Sequence, residues 1–273
     1  MPTVAQAIVL AREAGVERLD AQLLIAACTG RSRASLIAND DLVLTPSQSA
    51  TWSQWLQRRA AGEPLAYILG EKEFHGLRLS VGPGVLVPRP DTETLVDWAL
   101  DLLAQAPPAA QVVDLGTGSG AIALAIKKAR SDACVTALDA SADALSVARA
   151  NGGGLGLDVA WRLGSWWQAV GDQRFDLAVS NPPYIAENDP HLGALSHEPL
   201  SALTSGPDGL ADIRLIVAGA RAHLQPGAWL VFEHGHDQAA AVSDLFRAAG
   251  LVAVQSRRDL AGLMRCTGAQ APR

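Results

Sequence analysis

A chain of 273 residues, 49% of them apolar, is long enough for one large domain and a smaller one, each with its own core. The formal net charge of −6 argues against a protein that holds nucleic acid mainly through phosphate contacts, which would show a basic face. Cys28, Cys134 and Cys266 lie far apart among apolar residues and read as buried thiols of a reducing compartment, with neither a disulfide frame nor zinc spacing.

Residues 1–69 read as helices alone. Thr3 can cap a first helix running to Gly15, and a second carries Leu19, Leu23, Leu24 and Ala27 before Gly30. Arg12 and Glu13 interrupt the first apolar stretch and no run reaches membrane-spanning length. Neither a signal peptide nor a membrane span is therefore expected, and the compartment assigned is the cytoplasm. Thr45-Pro46 is an N-cap followed by Pro at the first helical position, opening a helix through Trp52, Trp55, Leu56 and Arg59. Arg31, Arg33, Arg58 and Arg59 in this segment are either a local basic patch or scattered solvated charges. A bundle of short helices is a recognition module or a lid more often than a catalytic unit.

Glu73 to Gly76 and Leu77 to Val81 predict two short strands about a turn, and Val87-Pro-Arg-Pro-Asp-Thr-Glu93 stiffens the connection to the next helix. The boundaries expected are a helical domain over 1–69, a hairpin and linker over 70–90 and a second domain over 91–273. Asp91 or Thr92 is expected to cap a helix through Leu95, Leu100 and Leu103. From residue 111 strand and helix alternate. Strands are predicted at 112–114, 135–139, 159–163, 176–180 and 228–233, with a final pair at 252–257 and 263–267. Helices fall at 121–129, 143–150, 211–222 and 238–249. This alternation defines an α/β fold with a seven-stranded, mostly parallel sheet covered by helices on both faces. Ligands of such sheets bind at the carboxyl ends of the strands, where the motifs of this domain fall.

Asp114-Leu-Gly-Thr-Gly-Ser-Gly120 joins the first of these strands to its helix. Its glycines let the backbone turn sharply and approach a ligand. Asp139 ends the next strand, where a carboxylate can accept from ribose hydroxyls. The Gly-x-Gly-x-Gly spacing is not the dinucleotide fingerprint, and no Gly-Lys-Ser/Thr comes after it to make a Walker loop. It fits S-adenosylmethionine better, with the ribose on Asp139 and the methionine end facing the glycine turn and Asp114. Gly164-Ser-Trp-Trp167 offers an aromatic edge for adenine or, equally, core packing; Trp166, nearer the strand end, is the candidate.

Asn181-Pro182-Pro183-Tyr184 comes directly after the strand at 176–180. Asn-Pro-Pro is also an ordinary strand-ending turn. Read chemically, it is a pocket for a flat NH2 group: the Asn oxygen accepts one N–H and the Pro182 carbonyl the other. The prolines fix φ and bring no competing N–H, and the Tyr ring can cover the planar group. His234-Gly-His236 with His191 or His197 could instead suggest a metal hydrolase, but no carboxylate constellation accompanies them, and no metal is expected.

Taken together, the residues resemble the bacterial peptide chain release factor glutamine methyltransferases, the PrmC/HemK group. The glycine loop, Asp139 and Asn181-Pro-Pro-Tyr184 resemble amino-group methyltransferases generally. Gly62-Glu-Pro64, Glu73-Phe74, Pro88-Arg-Pro-Asp-Thr-Glu93, Glu198-Pro199, Asp208-Gly-Leu210, Glu233-His-Gly235 and Arg258-Asp-Leu-Ala-Gly262, in matching order, narrow the likeness across essentially the whole chain. The resemblance implies a Rossmann-like methyltransferase domain behind a helical substrate-recognition domain. It also implies S-adenosyl-L-methionine as cofactor and, as substrate, the side-chain amide of the Gln in a Gly-Gly-Gln loop of a release factor. The cofactor set it implies is Asp114, Gly116, Thr117, Gly118, Ser119, Gly120, Asp139, Trp166 and Asn181. Asn181, Pro182 and Tyr184 are the catalytic set, and Pro183 joins them against the substrate. Many relatives carry Asp where this chain has Ser165, which puts a hydrogen bond to the adenine amino group in doubt. The expected partner is a release factor met by a monomer, without stable nucleic-acid or membrane binding. A ribosomal-protein glutamine methyltransferase and a nucleic-acid adenine N6-methyltransferase, which would flip its base, share the same catalytic logic. Glu198-Pro199 is expected near the incoming protein, in a loop over the site spanning 187–205.

Overall fold

The computed structural model describes residues 1–273 and resolves into two compact units, Met1–Glu71 and Lys72–Arg273. In the first, α1 (Val4–Glu13), α2 (Arg18–Thr29), α3 (Arg33–Ala38), α4 (Pro46–Ala60) and α5 (Leu65–Leu69) enclose Val4, Leu24, Ile25, Leu36, Leu44 and Trp52. Thr3 and Thr45 each form a reciprocal capping box, with Gln6 and Gln48, satisfying orphan N–H groups at both helix starts. The short helices α3 and α5 are not expected from periodicity. Arg59 pairs with Asp20 at 2.7 Å, Arg58 with Glu63 at 2.6 Å, and Arg33 donates to Gln22, so these arginines are engaged within the bundle.

A hairpin, β1 (Glu71–Phe74) and β2 (Leu77–Ser80), begins at the last residue of the first unit and otherwise belongs to the second. Its two-residue turn places His75 at φ +48° and Gly76 at φ +72°, the twist that matches antiparallel strands. Phe74, Leu77 and Leu79 are buried among the residues of the large core. A 3-10 turn at Pro90–Thr92 leads into α6 (Glu93–Leu103). Neither Asp91 nor Thr92 caps this helix through its side chain as expected. Both are taken by tertiary partners instead, Asp91 by Arg265 and Thr92 by Asn181.

The chain continues through β3 (Gln111–Leu115), α7 (Ala121–Ala129), β4 (Cys134–Asp139), α8 (Ala142–Leu155), β5 (Ala160–Leu163) and β6 (Phe175–Ser180). It then runs through α9 (Ala211–His223), β7 (Leu224–Glu233), α10 (Ala239–Ala248), β8 (Val252–Arg258) and β9 (Met264–Gln270). The seven-stranded sheet has the order β5-β4-β3-β6-β7-β9-β8, with β9 antiparallel to both its neighbours and the other pairs parallel. It is the α/β, mostly parallel sheet the sequence predicts. Strands added in both directions from β3 create a switch point between β3 and β6, where parallel sheets leave a crevice. One core lies on each face, around Leu95, Trp98 and Ile126 on one side and Phe175, Phe232 and Phe246 on the other. Contrary to the expectation of buried thiols, Cys28 is half-buried and Cys134 is exposed, the latter because it is the first residue of β4 and burial begins at Val135. No helix is long and apolar enough to cross a membrane.

Trp167 fixes α9 to the sheet: its Nε1 donates to the Ile216 carbonyl at 2.7 Å and its ring stacks on His223 at 4.8 Å. A Cβ on Gly219 would lie 2.2 Å from Trp167 Cδ1. Ala is the better helix former by about 1 kcal/mol, yet overpacking costs about 1–3 kcal/mol and this ring is held at both ends. Gly219→Ala is therefore expected to lower the denaturation midpoint in urea; an unchanged or higher midpoint would show that the ring can move freely.

Candidate active site

The loop after β3 is drawn toward β4 by Gly116 and Thr117, whose N–H groups both donate to the Leu138 carbonyl, at 2.9 and 2.8 Å. Gly116 sits at φ +76° with the Trp166 ring so near that a Cβ would lie 3.2 Å from Cζ3, so a side chain there would be strained in its backbone and crowded by the ring. Asp114 is fully buried beneath this loop. Its Oδ2 accepts from the Thr117 hydroxyl at 2.6 Å and from Ala123 N–H at 3.2 Å, while Oδ1 has no partner. Burial pushes its carboxyl up to about 7, against the lowering effect of those donors. Asp114 thus braces the loop on α7 and lies outside the cavity wall.

The wall itself is formed by Gly116, Thr117, Gly118 and Ser119, with Asp139, Ser165, Trp166, Asn181 and Pro183, around a cavity of about 290 Å³. That is near the lower end of small-ligand sites, roughly 300–1,000 Å³. Asp139 accepts from Gly118 N–H at 2.8 Å and from Ser141 N–H at 2.9 Å, which orients its carboxylate at the end of β4. Trp166 donates from Nε1 to Asp212 at 3.2 Å and faces the cavity, whereas Trp167 is core. Gly120, Pro182 and Tyr184 stand behind the wall rather than on it. Arg89, Pro199 and Asp212, which the motifs did not single out for this cavity, are on it.

Asn181 comes directly after β6, and the preceding Ser180 hydroxyl is anchored to the Leu115 carbonyl at 2.6 Å. Asn181 Nδ2 donates to Thr92 Oγ1 at 3.3 Å, which leaves Oδ1 as the free acceptor. Tyr184 donates from its hydroxyl to Glu233 Oε1 at 3.1 Å, and its carbonyl accepts from Gln238 Nε2 at 2.9 Å. A Cβ on Gly209 would lie 2.2 Å from that same carbonyl oxygen, so Asp208-Gly-Leu210 is glycine-dependent for a steric reason. Burial raises the Tyr184 phenol well above its usual range, and the adjoining Glu233 carboxylate adds to the shift.

Several residues around this turn have structural roles that sequence reasoning does not reach. Glu198 is buried: it accepts from Val87 N–H at 3.0 Å and pairs with Arg89. It therefore ties the 187–205 loop to the proline-rich segment, and the expectation that it faces an incoming protein is corrected. Asn151 links β2 to the glycine loop, accepting from Ser80 N–H at 2.8 Å and donating to the Ser119 carbonyl at 2.9 Å. Arg265 pairs with Asp91 and Asp259, each at 3.2 Å. His234 is buried with both ring nitrogens engaged, Nδ1 with the Gly235 carbonyl at 2.8 Å and Nε2 with Thr267 Oγ1 at 2.7 Å. Burial lowers its pKa and keeps it neutral, so Nδ1–H donates and Nε2 accepts. Neither nitrogen is available to a metal ion.

The residues on the wall suit an adenosyl ligand with a charged amino-acid end: an aromatic ring and Ser165 hydroxyl at one side, a carboxylate at a strand end, and a glycine-rich turn. Comparison with known proteins agrees. Residues 4–70 match the PrmC N-terminal domain and residues 92–198 the methyltransferase small domain. The chain is 50% identical over 262 residues to the release factor glutamine methyltransferase of Bordetella pertussis, covering 95% of this chain and 97% of that one. Against the Xylella fastidiosa (strain Temecula1) protein of the same name it is 47% identical over 269 residues, covering 97% and 98%. A methyltransferase structure from Pyrococcus furiosus superposes with a TM-score of 0.56 at 20% identity, covering 72% of this chain and 90% of that one, a likeness of fold. The protein is an S-adenosylmethionine-dependent methyltransferase. More narrowly, the chain belongs to the release factor glutamine methyltransferase family.

Asp139→Ala should weaken S-adenosylmethionine binding roughly 10- to 100-fold in calorimetric titration, the worth of a hydrogen bond to a charged group. An unaltered affinity would remove Asp139 from the cofactor site.

Proposed function

We propose that this protein transfers the methyl group of S-adenosylmethionine to the side-chain amide nitrogen of the Gln in the Gly-Gly-Gln loop of a peptide chain release factor. The observation that carries this reading is the placement of Asn181. It lies on the same cavity wall as the glycine loop and Asp139, with its Nδ2 committed to Thr92. Its Oδ1 is then an acceptor for one N–H of a planar amide; Pro182 does not itself line the cavity but lies between Asn181 and Pro183, which do, and its carbonyl is assigned as the second acceptor. When bound, the cofactor supplies an electrophilic methyl on a sulfonium whose leaving group is a neutral thioether.

An amide nitrogen is a poor nucleophile because its lone pair is delocalised, the resonance that also keeps peptide bonds planar. The chain's task is to orient and desolvate that nitrogen. Two acceptors hold both hydrogens in the amide plane, polarise the nitrogen and direct its π lobe toward the cofactor side. Orientation of this kind supplies up to roughly 7–11 kcal/mol of a barrier. Tyr184, fixed at its hydroxyl and at its carbonyl, keeps the turn rigid. No general base is assigned; the N-methylated amide is strongly acidic and can release its proton to the Pro182 carbonyl or to water.

The helical segment 1–69 is assigned to recognition of the protein substrate, 70–90 to a hairpin and linker, and 91–273 to catalysis. A protein substrate is favoured over a nucleic acid by the net charge of −6 and by the internal pairing of Arg33, Arg58 and Arg59. The protein is proposed to act as a monomer in the cytoplasm, without stable nucleic-acid binding.

The test is methyl transfer from labelled S-adenosylmethionine to a purified release factor, beside a variant whose Gly-Gly-Gln glutamine is replaced by Ala. Label on the first and none on the second is expected. Equal labelling of both would place the methyl on another residue.

A further inference from the structure

We propose that Asp212 is a positioning residue for cofactor binding, whose carboxylate fixes the plane in which the Trp166 indole meets the cofactor. The inference rests on Trp166 as the aromatic wall for the adenosyl end and is independent of the protein substrate. An indole at the edge of a cavity can turn about its side-chain bonds, and a turned ring presents its edge where its face is needed. A flat ligand is held well only by a ring that is already in place before the ligand arrives.

The backbone of Trp166 does not supply that rigidity. Its φ is +46°, in the left-handed region that side chains rarely adopt, and such a conformation persists only where its surroundings enforce it. The adjacent Trp167 is pinned in the core by its Nε1, which donates to the Ile216 carbonyl at 2.7 Å. Trp166 has the corresponding bond about one turn earlier on the same helix, α9, where its Nε1 donates to Asp212 Oδ1 at 3.2 Å. The far edge of its ring lies against the glycine loop: Cζ3 and Cη2 would be 3.2 and 3.4 Å from a Cβ on Gly116. The indole is therefore held at its N–H edge by α9 and at its benzo edge by Gly116. Gly116, Trp166 and Asp212 all stand on the cavity wall.

A carboxylate in the first turn of a helix has an ordinary use, and Asp212 serves it. Its N–H donates to Ser205 Oγ at 2.7 Å, and its Oδ2 accepts from the same hydroxyl at 2.7 Å. That exchange needs only one carboxylate oxygen. The other is turned to the indole, whose N–H can only donate, so an acceptor at this position is what fixes the ring. Ser205 in turn donates its N–H to the Ile185 carbonyl at 3.0 Å, and Ile185 directly follows Tyr184. Asp212 thus joins the ring on the cofactor side to the segment that leaves the amide turn. The competing role for an acid on this wall is a direct pull of its charge on the cationic cofactor. An Asn separates the two: its oxygen can accept from the indole and its Nδ2 can donate to Ser205 Oγ, but it carries no charge.

The experiment is calorimetric titration of S-adenosylmethionine into wild type, Asp212→Asn, Asp212→Ala, Trp166→Phe and the double variant Trp166→Phe/Asp212→Ala. Asp212→Ala is expected to weaken binding about tenfold, the worth of one hydrogen bond to a charged group, and Asp212→Asn to stay within about twofold of wild type. Trp166→Phe should lose at least as much as Asp212→Ala. The double variant should lose no more than Trp166→Phe, because a residue that acts only through the indole then has nothing left to hold. Asp212→Ser, polar but too short to reach the indole, serves the same comparisons if the Ala variants do not fold. An Asn variant as weak as the Ala variant would make charge the working feature, and losses that multiply in the double variant would give Asp212 a role apart from the ring. Either result overturns the proposal, as does Asp212→Ala or Trp166→Phe binding as tightly as wild type. No release factor enters the titration, so failure here leaves the proposed substrate untouched.

Discussion

A planar NH2 group is held in its plane by two acceptors that do not compete with nearby donors, and that is the constraint the proposed role of the turn from Asn181 to Tyr184 imposes. Its prolines bring no N–H. Its Asn nitrogen donates one hydrogen to Thr92 at 3.3 Å, its Tyr carbonyl accepts from Gln238 at 2.9 Å and its Tyr hydroxyl donates to Glu233 at 3.1 Å. The remainder of the catalytic unit supports these contacts. Glu198 holds the loop over the site to Val87 and Arg89, Arg265 holds Asp91 beside Thr92, and Gly209 makes room for the Tyr184 carbonyl.

The energetic character of this support is unusual for a core. Glu233 and Asp114 are carboxyl groups with almost no access to water, each with one oxygen lacking a hydrogen-bond partner. Burial of such groups is unfavourable unless it is compensated by hydrogen bonds or opposite charge. Their positions indicate what the cost secures. Asp114 fixes the glycine loop, and Glu233 fixes the turn after β6. Both carboxyl groups are pushed up to about 7, so both supports are sensitive to pH near neutrality.

Much of this is legible in the sequence because it depends on local signals. The alternation of strand and helix from residue 111 implies the sheet, and the Thr3 and Thr45 caps locate the first and fourth helices. The two cofactor motifs and the amide turn come after strands that the switch point brings together, so three separate segments share one wall. The parts that are not legible depend on long-range partners. A capping role for Asp91 or Thr92 is a sound local reading, yet Arg265 and Asn181 take those side chains from distant parts of the chain. Glu198 reads as a surface carboxylate until Val87 and Arg89 are seen to cover it. Helix α8 runs to Leu155 through glycines at 152–154 that propensity would have used to end it. Gly152 lies against Trp161, where a Cβ would be 3.0 Å from Cζ2.

On the proposed function, the chain accelerates transfer by orienting an amide, separately from holding its cofactor. Single-turnover rate and S-adenosylmethionine affinity measured together on Asn181→Ala test it most directly. The rate is expected to fall about a hundredfold or more while the affinity stays near that of the wild type. A retained rate, or an affinity that falls in proportion to the rate, would contradict it and make Asn181 a cofactor ligand first.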